Sequence, residues 1–284
     1  MRILLTGSKG QVGSVLAQAL APLGDVRAFD RQGLDLLDPQ SIRSTIATVK
    51  PDVIVNAAAY TAVDRAEQEK DSAFAVNHRA VGELARQAKS FDALLIHFST
   101  DYVFDGEKRT PYVETDPPAP LNVYGSSKLE GERAIAASGC RHFIFRTSWI
   151  YGPAGPNFLR SILAAAKARP ELRVVDDQHG APTTSMAIGA AVAQVLSSSG
   201  LPGKPSGIYH LSAAGETTWH EFAAAILEGR GIKTPVVAIR SDEYPGAATR
   251  PKNSLLDNSK IEATFGVALP DWRKGLAAVL AAIN

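Results

Sequence analysis

A tyrosine and a lysine four positions apart, Tyr124 and Lys128, are the side chains of this sequence best placed for acid–base chemistry. On a helix this spacing puts both on one face, one turn from each other. The unperturbed pKa of tyrosine is about 10, so an isolated tyrosine transfers protons poorly near neutral pH. A nearby ammonium favours the tyrosinate and lowers that pKa. We therefore predict that Tyr124 transfers a proton and that Lys128 lowers its pKa, although ordinary solvated helix faces show the same spacing.

A third candidate for this chemistry, Thr100, follows an apolar run over residues 93–98. Such a run is typical of a buried strand. Ligands of open α/β sheets bind at the carboxyl ends of the strands. The Thr100 hydroxyl is therefore expected at a ligand site.

Three glycines, Gly7, Gly10 and Gly13, lie between an apolar strand and a helical pattern near the start of the chain. Glycines let the backbone approach a pyrophosphate, and a helix N-terminus offers it free N–H groups and a favourable dipole. The second strand, over residues 26–30, ends in Asp30, at the distance expected for a carboxylate that binds the adenine ribose. The pattern therefore predicts a dinucleotide site.

The residues around this site leave the choice of dinucleotide open. The Asp30 carboxylate favours the 2′-hydroxyl of NAD, because it repels a 2′-phosphate, whereas Arg31 could hold the 2′-phosphate of NADP. The expected cofactor is NADPH or NADH. A third strand, over residues 52–56, leads into Ala58 and Ala59, whose small side chains would let a cofactor lie close to the backbone. Packing of the strand against a helix explains these alanines as well.

Strand and helix patterns alternate through the first half of the chain, which indicates a parallel, doubly wound sheet. From about residue 151 the elements become shorter and are separated by Gly, Pro and Ser clusters. The predicted fold is α/β: a Rossmann-type dinucleotide-binding domain over residues 1–150 and a smaller C-terminal α/β substrate domain over residues 151–284. The helix near 184–198 is expected to pack back on the sheet. The predicted strands cover residues 2–6, 26–30, 52–56, 93–100 and 142–147, and a long helix is predicted around 72–90.

The composition excludes several classes of protein. The 284 residues carry a net charge of +1 with both signs interspersed, which is untypical of proteins that bind nucleic acids or membrane surfaces. The single cysteine, Cys140, points to a reducing compartment and is expected to be a small buried side chain. Neither a targeting signal nor a metal-binding His/Cys spacing is visible. We expect a cytoplasmic protein without a bound metal.

Six blocks of the sequence resemble the extended short-chain dehydrogenases/reductases that act on nucleotide sugars, and the match spans nearly the whole chain. Related sugar 4,6-dehydratases typically carry a glutamate two positions after the threonine, where this sequence has Tyr102. The resemblance therefore favours keto reduction over dehydration. The blocks cover residues 6–13, 55–64, 99–104, 120–128, 145–149 and 177–183.

This resemblance implies NAD(P)H-dependent reduction of the C4 keto group of dTDP-4-dehydro-L-rhamnose to dTDP-L-rhamnose. Tyr124 would donate a proton to the C4 oxygen as hydride arrives from the nicotinamide, and Thr100 would hydrogen-bond that oxygen. Lys128 would lower the pKa of Tyr124 and hold the nicotinamide ribose. The resemblance further implies contacts to the dinucleotide from Gly10, Gln11, Val12, Asp30, Ala58, Ala59 and Thr61.

Three residues are expected to bind the small-molecule sugar nucleotide. The resemblance implies that Asp101 and Trp149 face it from the cleft, although Trp149 also suits a core position at the domain boundary. Arg250 is a candidate for the diphosphate, because a guanidinium suits bidentate phosphate contacts. A surface arginine would look the same in the sequence.

Some members of the resembled family form a dimer that magnesium bridges through two glutamates. The matching positions here are Val15 and about Met186, neither of which ligates a hard cation. We therefore expect a monomer or a metal-independent dimer.

Two other functions stay open. One is another extended short-chain enzyme of nucleotide sugars, such as an epimerase. The other is a regulatory subunit that binds a dinucleotide without turnover. The presence of Thr100, Tyr124 and Lys128 argues against the second, because a pure binder does not need groups that transfer protons.

Overall fold

The structure is a computed structural model that describes residues 1–244 and 246–283. Its strands are β1 (Arg2–Thr6), β2 (Asp25–Phe29), β3 (Val53–Asn56), β4 (Leu94–Thr100), β5 (His142–Thr147), β6 (Ile150–Tyr151), β7 (Leu172–Val175), β8 (His179–Gly180), β9 (Thr183–Thr184), β10 (Gly207–His210), β11 (Thr217–Thr218) and β12 (Val236–Ile239). Its helices are α1 (Gln11–Ala19), α2 (Pro39–Val49), α3 (Val63–Ala66), α4 (Lys70–Phe74), α5 (Ala80–Ser90), α6 (Val123–Ser138), α7 (Phe158–Ala168), α8 (Ser185–Ser197), α9 (Trp219–Glu228), α10 (Ser259–Phe265) and α11 (Trp272–Ala282). Over these described ranges, no helix combines the length and apolarity needed to cross a membrane.

The centre of the molecule is a six-stranded parallel sheet with the order β10–β5–β4–β3–β1–β2. All five strands predicted from the sequence are present in it. The chain moves to one side from β1 to β2 and to the other side from β3 onwards, so the direction reverses beside β1. Such a reversal leaves a crevice at the carboxyl ends of the strands, where doubly wound folds bind ligands. The predicted Rossmann-type fold is confirmed.

Both faces of this sheet are covered by helices, which is why the central strands β1, β3 and β4 are buried over nearly their whole length. Successive residues of a strand point to opposite faces. Ile3 and Leu5 therefore belong to the core beneath α1 and α8, whereas Leu4 belongs to the core beneath α2 and α5.

The C-terminal half of the chain contributes to two cores. Its helix α8 packs against α1, where a Cβ on Gly189 would lie 2.6 Å from Cγ1 of Val15. Its strand β10 is the sixth strand of the large sheet, so residues 207–210 are an exception to the predicted boundary at residue 150. A separate core around Phe222 and Trp272 joins α7, α9 and α11 with short strand pairs. The division into two functional domains stays a prediction.

The helix predicted around residues 72–90 is interrupted by a π-helical turn, Ala75–Arg79, between α4 and α5. Asn77 lies in this turn. Its amide accepts from the Tyr60 N–H at 2.9 Å and donates to the Tyr60 carbonyl at 3.0 Å and to the Ser127 hydroxyl at 3.0 Å. Asn77 therefore ties the loop after β3 to α6.

Candidate active site

A cavity of about 430 Å³, here called the strand-end cavity, opens above the carboxyl ends of β1 and β3. It contains the glycine turn, the end of β2 and the alanines after β3, so the fold brings these separate segments together. Six of the residues predicted to bind a dinucleotide line it: Gly7, Gly10, Asp30, Arg31, Ala58 and Ala59.

The glycine turn leaves no room for side chains. Gly7 has a φ of +67°, and a Cβ there would lie 2.7 Å from the Ala58 nitrogen. A Cβ on Gly13 would lie 2.1 Å from the Gly7 carbonyl oxygen. The backbone of the turn therefore packs directly on the start of α1, whose free N–H groups suit an anionic pyrophosphate.

Besides Tyr124 and Lys128, which were also predicted to contact the cofactor, four of the predicted dinucleotide residues lie outside the lining of this cavity. Gln11 begins α1, and its Oε1 is buried without a hydrogen-bond partner. Val12 and Gly13 are buried within α1, and Thr61 is exposed in the loop after β3. Contacts from these four to a cofactor stay predictions.

A lysine that was not predicted as a site residue changes the electrostatics at the end of β2. Lys9, in the glycine turn, forms an ion pair with Asp30. This hydrogen-bonded ammonium is the main cause that lowers the pKa of the Asp30 carboxyl, and the N–H groups of Gly33 and Gln32 act in the same direction. The carboxylate that would repel a 2′-phosphate is thus partly neutralised.

The proton-transfer candidates converge beside β4. Thr100 ends this strand, and its hydroxyl donates to Oδ1 of Asp101 at 2.9 Å. Tyr124 and Lys128 lie one turn apart on α6, which begins at the Asn122 cap. Thr100, Asp101 and Lys128 are each at most 5% exposed. The helix and strand predicted from the sequence therefore deliver all three predicted catalytic side chains to one place.

Burial decides the pKa values in this cluster. It raises the pKa of Tyr124 to about 12; the Asp101 charge adds to this shift and the Thr100 hydroxyl opposes it. It lowers the pKa of Lys128 to about 8, against the opposing charge of Glu132. The prediction that Lys128 lowers the pKa of Tyr124 is therefore corrected, because desolvation dominates and Lys128 is not among the groups that shift it.

Asp101 has a buried carboxyl with one unused oxygen. Its Oδ2 has no hydrogen-bond partner. Burial raises its pKa to about 6, while hydrogen bonds from Ser254 and Thr100 act in the opposite direction. A buried, partly satisfied carboxyl at a strand end is typical of a group that contacts a ligand.

A second cavity of about 430 Å³, here called the C-terminal cavity, lies in the other half of the chain. Phe158 and Trp219 form one wall. The rings of Trp219 and Trp149 stack with centroids 3.6 Å apart. Trp149 has a φ of +48°, and a Cβ on Gly180 would lie 2.5 Å from its indole. The predicted substrate residue Trp149 is thus held in a strained backbone conformation beside an aromatic stack, which is typical of functional sites.

Arg250 also lines the C-terminal cavity, and it has a protein partner. Its Nη2 lies 2.6 Å from Oδ2 of Asp64 in α3, the neighbour of Arg65, which lines the strand-end cavity. Its guanidinium lies 5.7 Å from the ring centroid of Tyr244. Arg250 is therefore an ordered, partly buried residue that links the two halves, and its predicted contact to a diphosphate stays a prediction.

Most residues of the C-terminal cavity were not predicted from the sequence, because they come from separated positions that form no local motif. Two further arginines lie in it. The lining residues that were missed include Phe158, Arg169, Arg173, Gln178, Trp219 and Tyr244.

The other single-residue predictions concern side chains away from the cavities. Cys140 is buried, and burial raises the pKa of its thiol, as expected for a structural cysteine. Met186 is 39% exposed on α8, whereas Val15 faces the same helix. Residues 1–244 and 246–283 contain no cluster of three or more side chains suited to a metal.

Comparison with known proteins identifies the family. The model of the RmlD substrate binding domain family matches residues 1–284. A dTDP-4-dehydrorhamnose reductase from Burkholderia thailandensis is 46% identical over 96% of both chains, and one from Escherichia coli is 43% identical over 99% of this chain and 97% of its own. The crystal structure of dTDP-4-dehydrorhamnose reductase from Bacillus anthracis in complex with NADP has a TM-score of 0.94 at 34% identity, covering 99% of each chain. The chain belongs to the RmlD substrate binding domain family of extended short-chain dehydrogenase/reductase-like proteins.

Proposed function

We propose that this protein is an NAD(P)H-dependent oxidoreductase that reduces the C4 keto group of dTDP-4-dehydro-L-rhamnose to give dTDP-L-rhamnose. The observation that carries the proposal is the convergence of Thr100, Tyr124 and Lys128 at the end of β4, the strand beside β3, whose following loop lines the strand-end cavity. The relatives that are named for this reaction match the chain over nearly its full length.

The strand-end cavity fits a nicotinamide dinucleotide. The glycine turn packs so closely on its own backbone and on Ala58 that a Cβ at Gly7 or Gly13 would clash, and it adjoins the N-terminus of α1. Asp30 and Arg31 lie where the adenine ribose would bind. A bound NADPH or NADH supplies the hydride.

The C-terminal cavity fits the nucleotide part of the substrate. Aromatic rings such as those of Trp219 and Phe158 stack on bases, and arginines such as Arg250 pair with a diphosphate. In this assignment Trp149 and Asp101 lie between the nucleotide and the reacting carbon and contact the sugar.

Tyr124 donates the proton in this reaction. Because burial raises the pKa of Tyr124 to about 12, its hydroxyl keeps the proton at neutral pH and is ready to give it to the carbonyl oxygen. Thr100 orients that oxygen through its hydroxyl. The proton leaves Tyr124 only as negative charge develops on the sugar oxygen, and Lys128 holds the nicotinamide ribose.

The test compares oxidation of NADPH and NADH by the wild type, Tyr124→Phe and Tyr209→Phe with dTDP-4-dehydro-L-rhamnose. Loss of a positioned proton donor is expected to lower kcat by about 100- to 10,000-fold. Tyr209→Phe is the matched control, because this buried tyrosine lies in β10 and donates only to the Pro205 carbonyl. Wild-type inactivity with measurable dinucleotide binding would favour the regulatory-subunit alternative.

An epimerase would behave differently in the same assay. It retains oxidised NAD through purification and interconverts sugars without net oxidation of added cofactor. Stoichiometric oxidation of NADPH or NADH with product formation would exclude this alternative.

Assembly and location stay predictions. We expect a monomer or a metal-independent dimer in the cytoplasm, since the positions matching the bridging glutamates are Val15 and Met186. Size-exclusion chromatography with and without EDTA tests this, and a dimer that EDTA splits would contradict it.

A further inference from the structure

A chain of buried polar side chains runs from β1 to α6 beneath the strand-end cavity. The Thr6 hydroxyl donates to Oδ1 of Asn56 at 2.6 Å, and Nδ2 of Asn56 lies 3.0 Å from Nδ1 of His97. Nε2 of His97 lies 3.2 Å from Nζ of Lys128. All four side chains are at most 2% exposed. Water therefore does not compete for these contacts, and each donor must face an acceptor.

The orientation of the Asn56 amide is fixed by the backbone. The N–H of Ala58 donates to Oδ1 of Asn56 at 3.2 Å, and a backbone N–H cannot accept. Nδ2 of Asn56 therefore faces His97. An amide nitrogen only donates, so Nδ1 of His97 must be the acceptor.

The position of the histidine proton follows from this contact. Burial, with a contribution from the Lys128 charge, lowers the pKa of His97 well below its usual value, so the ring is neutral. A neutral imidazole carries one N–H. Because Nδ1 accepts from Asn56, the proton resides on Nε2 and is directed at Nζ of Lys128.

An N–H directed at a lysine nitrogen distinguishes the two forms of that lysine. An ammonium has only donors, whereas a neutral amine has a lone pair that accepts. The Phe98 carbonyl, 2.5 Å from Nζ, accepts from either form. We propose that His97, held by Asn56, is a positioning residue that presents an N–H to Lys128 and favours its amine over its ammonium.

The charged groups around Lys128 do not reverse this preference. Glu132, on the same helix, favours the ammonium, but its carboxylate is bound in a bidentate ion pair by Arg146 of β5. The cluster also contains the titratable groups Asp101, after β4, Tyr124 on α6 and Tyr102, whose ring centroid lies 5.9 Å from that of Tyr124. The pKa of Lys128 is lowered to about 8 in spite of Glu132.

This preference has a consequence that rests on the proposed function. A lysine that releases its proton near neutral pH can return that proton to the tyrosinate formed at Tyr124 more easily than an ordinary lysine. His97 thereby assists the recovery of the proton donor without touching substrate or cofactor.

The first test reads the tautomer directly and does not depend on activity. Ring nitrogens of the protein labelled with ¹⁵N-histidine are observed by NMR, and the His97 signals are assigned by their absence in His97→Gln. We expect a protonated Nε2 and an unprotonated Nδ1 at neutral pH. A protonated Nδ1, or a doubly protonated ring, would overturn the proposal even if the enzyme is an active reductase.

The second test changes the tautomer. In Asn56→Asp, a carboxylate oxygen replaces Nδ2, so His97 must place its proton on Nδ1 and offer Nε2 as an acceptor to the ammonium. The titration of Lys128, followed by its Cε signal and assigned with Lys128→Arg, is expected to shift upward by about one pH unit or more. Thr6→Val is the matched control, since Ala58 alone fixes the amide and the tautomer should not change.

A double-mutant cycle with His97→Met separates the effect of the charge added in Asn56→Asp from the effect of the tautomer change. In the His97→Met background the charge remains but no tautomer can switch, so the upward shift should be smaller. Equal shifts of the Lys128 titration in both backgrounds would show that the His97 tautomer does not affect Lys128, and the proposal would fail. A failed reductase assay with the expected NMR result would instead overturn only the proposed function.

Discussion

The strand-end cavity and the C-terminal cavity are equal in volume, about 430 Å³ each, but they are built in different ways. One wall of the strand-end cavity is backbone, formed by the glycine turn, the alanines after β3 and the ends of parallel strands. The C-terminal cavity is shaped by large side chains, including Phe158, Trp219 and Arg250.

This difference predicts two kinds of sensitivity. A backbone-walled site tolerates no added atom, because moving a wall means moving a strand or a helix. In a site formed by side chains, each substitution removes one contact and lowers the affinity by a limited amount. Substitutions should therefore act abruptly on dinucleotide binding and gradually on nucleotide binding.

Among the effects on ligand binding, the largest is expected for Gly13→Ala. Its Cβ would lie 2.1 Å from the Gly7 carbonyl oxygen, so the glycine turn must move. Overpacking of about 1–3 kcal/mol corresponds to dinucleotide binding up to about 100-fold weaker, with dTDP binding unchanged. Isothermal titration with NADPH and dTDP measures both. Gly203→Ala is the control, since a Cβ there meets no atom within 4 Å.

A smaller effect is expected for Trp219→Ala, which removes half of the stack with Trp149. The loss of base stacking costs about 1–3 kcal/mol and should weaken dTDP binding by about 10- to 100-fold. NADPH binding should stay at the wild-type value. Trp219→Phe keeps a ring and should retain most of the affinity. Equal losses for dTDP and NADPH would contradict the independence of the two cavities.

A third prediction concerns Arg250, the residue that links the two regions through Asp64. If Arg250 binds the diphosphate, Arg250→Met should weaken the binding of dTDP by about tenfold, as expected for the loss of a charge-assisted hydrogen bond. The binding of thymidine, which has no diphosphate, should not change. Titration with both ligands makes the comparison. Asp64→Asn serves as the reference, because it removes the same ion pair but keeps the guanidinium. An equal loss of dTDP affinity in both variants would show that Arg250 has a structural role only.

The contrast between the cavities also explains what could be read from the sequence. The strand-end cavity follows contiguous patterns in part, so six of its lining residues and the five strands were predictable. The C-terminal cavity depends on side chains that meet only after folding; Phe158 and Trp219, for example, are 61 positions apart. The membership of β10 in the large sheet was missed for the same reason.

Electrostatic details were less predictable than positions. The spacing of Tyr124 and Lys128 placed both residues correctly, but the direction of the Tyr124 pKa shift depends on desolvation, which requires the packing around it. The π-helical turn that carries Asn77 likewise leaves no sign in a helical pattern. Lys9 was missed because its ion pair with Asp30 depends on how the glycine turn folds back.

The smallest predicted effect sharpens the chemistry of the strand-end cavity itself. Lys9 is well exposed and pairs with Asp30, so it partly neutralises the carboxylate that opposes a 2′-phosphate. In Lys9→Ala the charge of Asp30 is no longer offset, and the ratio of kcat/KM for NADPH to that for NADH should fall severalfold, more at low salt than at high salt. Lys70→Ala, another lysine substitution outside the cavity lining, is the control. An unchanged ratio would mean that Arg31 alone governs the choice of dinucleotide, and the pairing of Lys9 with Asp30 would then serve only to hold the turn.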